Sequence, residues 1–452
     1  MKNLLRYLPV LAVAAMLAGC SGPCQKIDTI SGPALTTGTA DFSNVVAVGT
    51  NFSAGFQSAG LVNRHQIRSF PALFAQHVGM TVVSDGTSGF TFNGMSNDGV
   101  GELPPTQTLV EIKSLSPLVI DNVGRLPGAP QNMANGGLDY HNLAIPGELA
   151  FDVVDSTLYT VDPNPVRGAG YNKFFWNTIS RGRGLVLQQL IRRAPTFVTF
   201  EFGINEVLGS VRSGGVRPVF PSGTFDGSVR GALNGLHAAL PNAKVAVFNV
   251  PDATHLPFCT TFSPVTIDLV TGTPVALIGP TGALSPTDLV LLTAKDSLAI
   301  GTGFPAGSYN YLNPAAPGNG RPLTNAQVLN DLEQGAISTA IFNMNASVDS
   351  ITANRPWTAK VDWNALATSV ATDGYPVGSV TYTSDFVTGG LVSLDGIHPT
   401  DLGHAILCNT LIDAVNAQFG ATIPHLNLAE HATTTSSRMR PIAGGPLFPK
   451  PR

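Results

Sequence analysis

The sequence predicts an α/β protein built on a parallel sheet with helices on both faces, and three observations carry that expectation. Short apolar or alternating stretches rich in β-branched and aromatic residues recur at 45–48, 196–202 and 244–250, the composition of buried strands. Stretches of helical period lie between and after them, at 70–78, 184–193, 228–240 and 400–419. The first strand, Val45-Val46-Ala47-Val48, runs straight into Gly49-Thr50-Asn51-Phe52-Ser53-Ala54-Gly55, where turn and helix-start residues bend the chain sharply. Strands and helices alternating in this order form parallel sheets with right-handed crossovers. A turn at a strand's carboxyl end is where open α/β sheets bind ligands.

The chain opens with Met1-Lys2-Asn3-Leu4-Leu5-Arg6, two positive charges ahead of an almost wholly apolar run at 8–17 that closes with Leu17-Ala18-Gly19-Cys20. A basic start, a short apolar core and small residues at the cut describe a secretory leader. A cysteine directly after the cut resembles the bacterial lipoprotein signal; the other reading is an ordinary leader with an incidental cysteine. The resemblance implies removal of residues 1–19 and lipidation of Cys20, by more than one chain as stable anchoring requires. The protein is then held in the cell envelope, and Ser21 after the cysteine points by analogy to the outer membrane. Residues 20–40, rich in Gly, Ser, Thr and Pro, read as a flexible tether. No other stretch approaches the run of about 20 apolar residues that spans a bilayer.

The domain is expected over 41–428. Phe70, Leu73, Phe74 and His77 fall at i, i+3, i+4 and i+7, and residues 80–83 begin a further strand. From 84 to 140 the texture turns to Gly, Asn, Pro and Asp, an insertion read as a lid or a wall of a groove. Residues 142–147 resume the core, with a helix starting near Glu148. The helix at 184–193 carries Leu185, Leu187, Leu190 and Ile191, and the strand at 196–202 delivers Gly203-Ile204-Asn205-Glu206 to the sheet edge. The strand at 244–250 ends near that edge too. A second insertion, 260–322, shows no single period. Residues 325–351 read as one long helix, 359–366 as the last strand, and 400–419 as a closing helix with Leu402, Ala405, Ile406, Leu411 and Val415 inward. The tail, 429–452, reads as disordered.

A net charge of −4 with no cluster of Lys or Arg argues against nucleic acid as a partner. Charged residues make up 12%, about half the usual ~25%, while 48 Gly and 34 Pro suit a loop-rich exported protein. The 43% of hydrophobic residues is ample for a large core. Cys24 falls in the tether, and Cys259 and Cys408 either form a disulfide or remain buried thiols. Neither Cys-x-x-Cys nor His-Glu-x-x-His occurs, so no metal or cofactor is expected.

Four short blocks stand in order: Gly49 to Gly55, Asn142-Leu143-Ala144-Ile145-Pro146-Gly147, Gly203-Ile204-Asn205-Glu206 and Asp395-Gly396-Ile397-His398-Pro399. Together they resemble the SGNH (GDSL-type) esterase and lipase superfamily, whose first block in many bacterial members reads like Gly-Asn-Ser-Leu-Thr-Ala-Gly. The match holds at both glycines and Ala54, with Phe52 for Leu and Ser53 for Thr, and Asn51 stands at the nucleophile position. The resemblance implies a flavodoxin-like, three-layer α/β/α sandwich acting on a small-molecule or lipid ester. It implies that His398 is the base, that Asp395 holds its tautomer, and that the Gly147 backbone N–H and the Asn205 amide stabilise the anionic intermediate. Glu206 replaces the aspartate frequent after this asparagine.

Each block has a plainer reading: a turn before a helix for Asp395 to Pro399, a turn glycine for Gly147, a loop cap for Asn205. Asn51 departs from the family chemistry, because a carboxamide has no hydroxyl for His398 to deprotonate. Ser53 is the alternative nucleophile, although two helical residues turn its side chain about 200° from that of Asn51; its plainer role is first-turn hydrogen bonding. Thr50 would need a rebuilt turn. Asn51-Phe52-Ser53 also matches an N-glycosylation acceptor, at a turn expected to be buried. Several functions stay open: an ester hydrolase with impaired serine chemistry, an active esterase using Ser53 or a water activated by His398 with Asp395, a non-catalytic ligand-binding lipoprotein using the same cleft, and, third in class, a purely structural envelope protein.

Overall fold

The structure, a computed structural model, describes residues 35–84, 86–101, 108–115, 118–122, 128–130, 137–160, 174–269 and 271–434. The leader, Cys20, Cys24 and most of the tether lie outside the described residues. In chain order the elements that position the site are β1 (Val45–Gly49), α1 (Asn51–Ala54), α2 (Phe70–His77), α3 (Ala150–Val154), α4 (Val186–Arg193), β2 (Phe197–Glu201), α5 (Ile204–Arg212), α6 (Ser222–Ala239), β3 (Lys244–Phe248), α7 (Asp331–Ala353), β4 (Thr358–Val361), α8 (Trp363–Asp373) and α9 (Asp401–Phe419).

β1, β2, β3 and β4 form one sheet in that order, all parallel. Val45 lies opposite Phe197, Phe197 opposite Lys244, and Val245 opposite Thr358. Nearly every residue of these strands is buried, because helices cover both faces and leave no polar side to alternate with. α3, α4, α6 and α7 pack on one another over one face; α2, α8 and α9 pack together over the other. The α/β/α layering expected from the sequence is therefore present.

An extended segment at 141–145 runs beside the free side of β1. Ala47 N–H donates to the His141 carbonyl (2.8 Å), and Leu143 and Ile145 N–H donate to Ala47 and Gly49 carbonyls (2.8 and 3.1 Å). Counting this segment as the second strand, the spatial order becomes the flavodoxin-like 2-1-3-4-5. The chain reverses its direction of travel across the sheet between β1 and β2. Ligands of such sheets bind at that point, and there the elbow after β1 meets the loop after β2.

Some boundaries differ from expectation, two of them through a cap. α7 begins at Asp331 rather than near 325, because Asn330 Oδ1 accepts from Leu332 and Glu333 N–H while Glu333 returns a bond to Asn330 N–H. β4 stops at Val361 because Asp362 caps α8, accepting from Ala365 N–H at 3.0 Å. Residues 363–366 are therefore helix, not strand. α6 starts at Ser222, a turn and a half earlier than its period suggested. Disorder does not begin at 429: Leu428–Thr434 is a helix whose Leu428 and Ala432 pack with Leu402 and Ile406 of α9. Residues 435–452 lie outside the described residues.

The two insertions behave differently. Described residues of the first include a hairpin, Val110–Leu115 with Leu118–Asn122, whose Ile112 packs on Phe386, Val387 and Leu394 just ahead of Asp395. The second builds its own small core from residues including Phe262, Leu277, Leu284, Leu298 and Phe304.

Of the two alternatives for the cysteines, the structure has Cys259 and Cys408 as separate buried thiols. Burial pushes both well above the usual thiol range, and the charge of Asp252 adds to the rise at Cys259. A reagent attacks the thiolate, so neither residue is expected to be alkylated in the native protein, and both should label on unfolding. Rapid native labelling of either, read by peptide mass, would contradict this packing.

α9 joins the two poles of the molecule. It starts beside the loop carrying His398 and ends at Phe419, whose ring lies 6.4 Å from Phe197 and 5.9 Å from the Lys244 ammonium, the first residues of β2 and β3. The start of the domain is tied there as well: Thr39 N–H donates to the Phe419 carbonyl (2.8 Å), and Thr422 N–H to that of Thr36 (3.0 Å).

Candidate active site

The site begins with the bend after β1. A Cβ at Gly49 would lie 2.5 Å from Ser53 Oγ and 2.7 Å from the Glu201 carbonyl oxygen, so no side chain fits. Thr50, extended, caps the short helix α1, and Gly55 ends it at φ +81°. Asn51 is thus the first helical residue, set at the carboxyl end of β1.

Beneath the bend sits a buried acid that sequence reasoning missed. Glu201, opposite Gly49 in the register, accepts from Thr50 N–H (3.0 Å) and Oγ1 (2.8 Å) and from Ser53 N–H (3.3 Å) and Oγ (2.9 Å). The available signal was a single carboxylate at the end of an apolar strand. Ser53 is fully buried and committed to this bond, which turns it into the elbow's underside. The structure therefore groups Ser53 and Thr50 with Glu201, not with His398.

Burial pushes the Glu201 carboxyl up to about 7, against the pull of its donors from Thr50 and Ser53. A folded state that holds a proton more tightly than the unfolded chain is favoured at lower pH. The stability contributed is full below the ordinary glutamate range and is lost as pH rises through about 7. The melting temperature is expected to fall between about pH 5 and about pH 8, and Glu201→Gln to flatten that part of the curve. Equal slopes in both proteins would contradict the assignment.

Two donors converge on one oxygen above the elbow. Gly147, at φ +84° in the turn after the edge segment, donates its N–H to Asn51 Oδ1 at 2.7 Å. Asn205, in the first turn of α5, donates Nδ2 to the same atom at 3.1 Å and to the Glu148 carbonyl at 2.9 Å. Gly203 makes the approach to α5 possible: it adopts φ +113°, and a Cβ there would come within 2.2 Å of Val250 Cγ2. Glu206 accepts from Ala150 N–H at 2.8 Å and so fastens the first turn of α5 to α3.

The third component comes from the loop before α9. Asp395 Oδ2 accepts from His398 Nδ1 and from Ala59 N–H, each at 2.9 Å, while its Oδ1 takes the N–H groups of Ile397 and His398 and the Ser393 hydroxyl. Burial would raise the carboxyl, but the adjoining His398 imidazole and these donors hold it far below the usual carboxylate range. His398 is 2% exposed, and its ring lies against Phe52 and Phe56, 4.9 Å from each ring centre. Its Nε2 is buried with no hydrogen-bond partner among the described residues. Ser58 and Ala59, both at positive φ, lock the elbow to this loop, Ser58 N–H donating to Ser393 Oγ at 2.9 Å.

Further support comes from Asp401 at the start of α9. It accepts from Gln57 Nε2 (2.7 Å), His65 Nδ1 (2.9 Å) and Arg68 (3.2 Å), which outweigh its burial and hold its carboxyl down at about 2. Behind Phe52 lies an apolar cavity of about 100 Å³ whose lining includes Trp363, Leu391, Ile397 and Ile406. Phe52 faces this cavity and also meets His398.

The structure thus brings Asn51, Gly147 and Asn205 into direct contact and seats His398 and Asp395 on the residues that follow Asn51. No family model and no curated protein matches the chain. Among solved structures it is similar to an extracellular lipase from Streptomyces rimosus, at 11% identity and a TM-score of 0.31, covering 82% of this chain and 98% of that one. It is also similar to a phospholipase A1 from Streptomyces albidoflavus NA297, at 13% identity and a TM-score of 0.27, covering 83% of this chain and 98% of that one.

Proposed function

We propose that the chain is an ester-hydrolase-type protein of the SGNH (GDSL-type) superfamily, anchored in the bacterial cell envelope through Cys20, whose serine-dependent turnover is impaired by Asn51. The observation that supports this reading best is the convergence of Gly147 N–H and Asn205 Nδ2 on the side-chain oxygen of residue 51. Acyl transfer builds negative charge on a carbonyl oxygen, and paired fixed donors of this kind stabilise it. An aspartate-held histidine beside the same bend supplies the base. The site needs no cofactor for this chemistry.

Asn51 opposes turnover twice. It offers no hydroxyl to attack an ester, and its own carbonyl occupies the donors that an ester carbonyl would need. That second feature also favours the other reading, a binding cleft for a small-molecule or lipid ester whose oxygen displaces the Asn51 amide.

The deciding assay is hydrolysis of a short-chain aryl ester by the mature protein beside its Asn51→Ser and His398→Ala variants. Activity gained in Asn51→Ser supports the hydrolase reading, and a folded but inert Asn51→Ser leaves the binding cleft. Ser53→Ala is expected to change little. Labelling of Ser53 by a fluorophosphonate, abolished in Ser53→Ala, would instead make the protein an ordinary esterase with a displaced nucleophile.

A further inference from the structure

The side chain of Asn51 is itself an acyl compound, a primary amide, and its carbonyl oxygen already sits on two convergent donors, at 2.7 Å from Gly147 N and 3.1 Å from Asn205 Nδ2. Such donors polarise a carbonyl and stabilise the tetrahedral anion formed when a nucleophile adds to it. The base lies against the next residue along the chain, the His398 ring centre 4.9 Å from that of Phe52. His398 has Nδ1 fixed by Asp395 at 2.9 Å, its ring lies against Phe52 and Phe56, and Nε2 has no partner among the described residues. Gly147 and Asn205 are half-buried while Asn51 and His398 are buried, so water reaches the amide along the donor side.

We propose that the site hydrolyses its own Asn51 side chain to aspartate, with water as the co-reactant. This rests on the same placement of His398, Gly147 and Asn205 as the hydrolase reading above. His398 Nε2 takes a proton from water as the water oxygen bonds to Asn51 Cγ, and the C=O electron pair moves onto Oδ1, held by the two donors. When the carbonyl re-forms, the Cγ–Nδ2 bond breaks and the proton on His398 passes to the departing nitrogen. Ammonia leaves and an aspartate side chain remains at position 51; no electron is lost or gained.

The common route of asparagine loss is different. There the next backbone nitrogen closes a succinimide, which opens to a mixture of aspartate and isoaspartate. In this protein that nitrogen belongs to Phe52, lies within the helical turn of α1 and points towards Thr50 Oγ1 at 3.4 Å. Ring closure from that conformation would require the turn to unwind. The two routes therefore leave different products.

The test is a time course of peptide mapping on the purified mature protein, stored at neutral pH in water enriched in heavy oxygen. Residue 51 is expected to convert to aspartate carrying one heavy oxygen, without isoaspartate. His398→Gln and Asn205→Ala, checked for unchanged melting, should each slow conversion by about 10²-fold. Asn51 found intact in aged wild-type protein overturns the proposal. So does conversion at an equal rate in His398→Gln, or an aspartate and isoaspartate mixture. If Asn51→Ser hydrolyses esters while wild-type Asn51 stays intact, this inference fails and the hydrolase reading stands. Conversion of Asn51 alongside an inert Asn51→Ser gives the reverse.

Discussion

Asn51→Ser is expected to raise hydrolysis of a short-chain aryl ester by about 10³-fold or more over the unaltered protein, and His398→Ala in that background to abolish the gain. The reasoning is local. Serine at the first position of α1 places a hydroxyl at the carboxyl end of β1, while its shorter side chain withdraws the oxygen that now occupies Gly147 N–H and Asn205 Nδ2. The substitution therefore adds a nucleophile and vacates the donors together. In subtilisin, loss of the serine costs about 2 × 10⁶ in turnover, so even a poorly adapted site has room for a gain of three decades. A folded Asn51→Ser protein whose rate stays within about tenfold of the parent would sink the idea that these groups share one substrate.

Asp395→Asn, made in the Asn51→Ser background, is expected to lower kcat by about 10⁴-fold. A carboxamide can present a donor to His398 Nδ1, which selects the wrong tautomer and removes the lone pair needed at Nε2. A stability change accompanies the kinetic one. The Asp395 carboxyl is held far below its ordinary range, so the stability it contributes is present above the usual aspartate pKa and is lost as pH falls below that range. Acid unfolding should therefore lose part of its steepness in Asp395→Asn. An unchanged kcat would show that Asp395 serves the backbone N–H groups of Ile397 and His398 and nothing more.

The elements that sequence made legible were those whose pattern is set by burial. Val45 to Val48, Phe197 to Phe200 (apart from Thr199) and Val245 to Phe248 are apolar because both faces of the sheet are covered, and that composition reads directly as strand. α9 was read correctly because its inward residues keep a helical period along its whole length. What was misplaced depended on single caps: Asn330 and Asp362 decide where α7 and α8 begin, and neither interrupts a hydrophobic pattern. At the site, the first three blocks hold residues that touch, but the sequence does not show the atom on which they meet. That Asn51 turns its own oxygen into the donor pair depends on a side-chain torsion, which no spacing encodes. Glu201 was missed for a related reason, because its hydroxyl and N–H partners lie far earlier in the chain, at Thr50 and Ser53.

The position of Thr36 and Thr39 against the end of α9 bears on how the molecule meets a membrane. α9 has 19 residues, a rod of about 28 Å, with the His398 loop at one tip and the point where the domain's first residues dock at the other. If Cys20 is acylated as proposed above, the tether joins the domain at the tip of α9 away from the His398 loop, so attachment to a membrane leaves the cleft's own tip unobstructed.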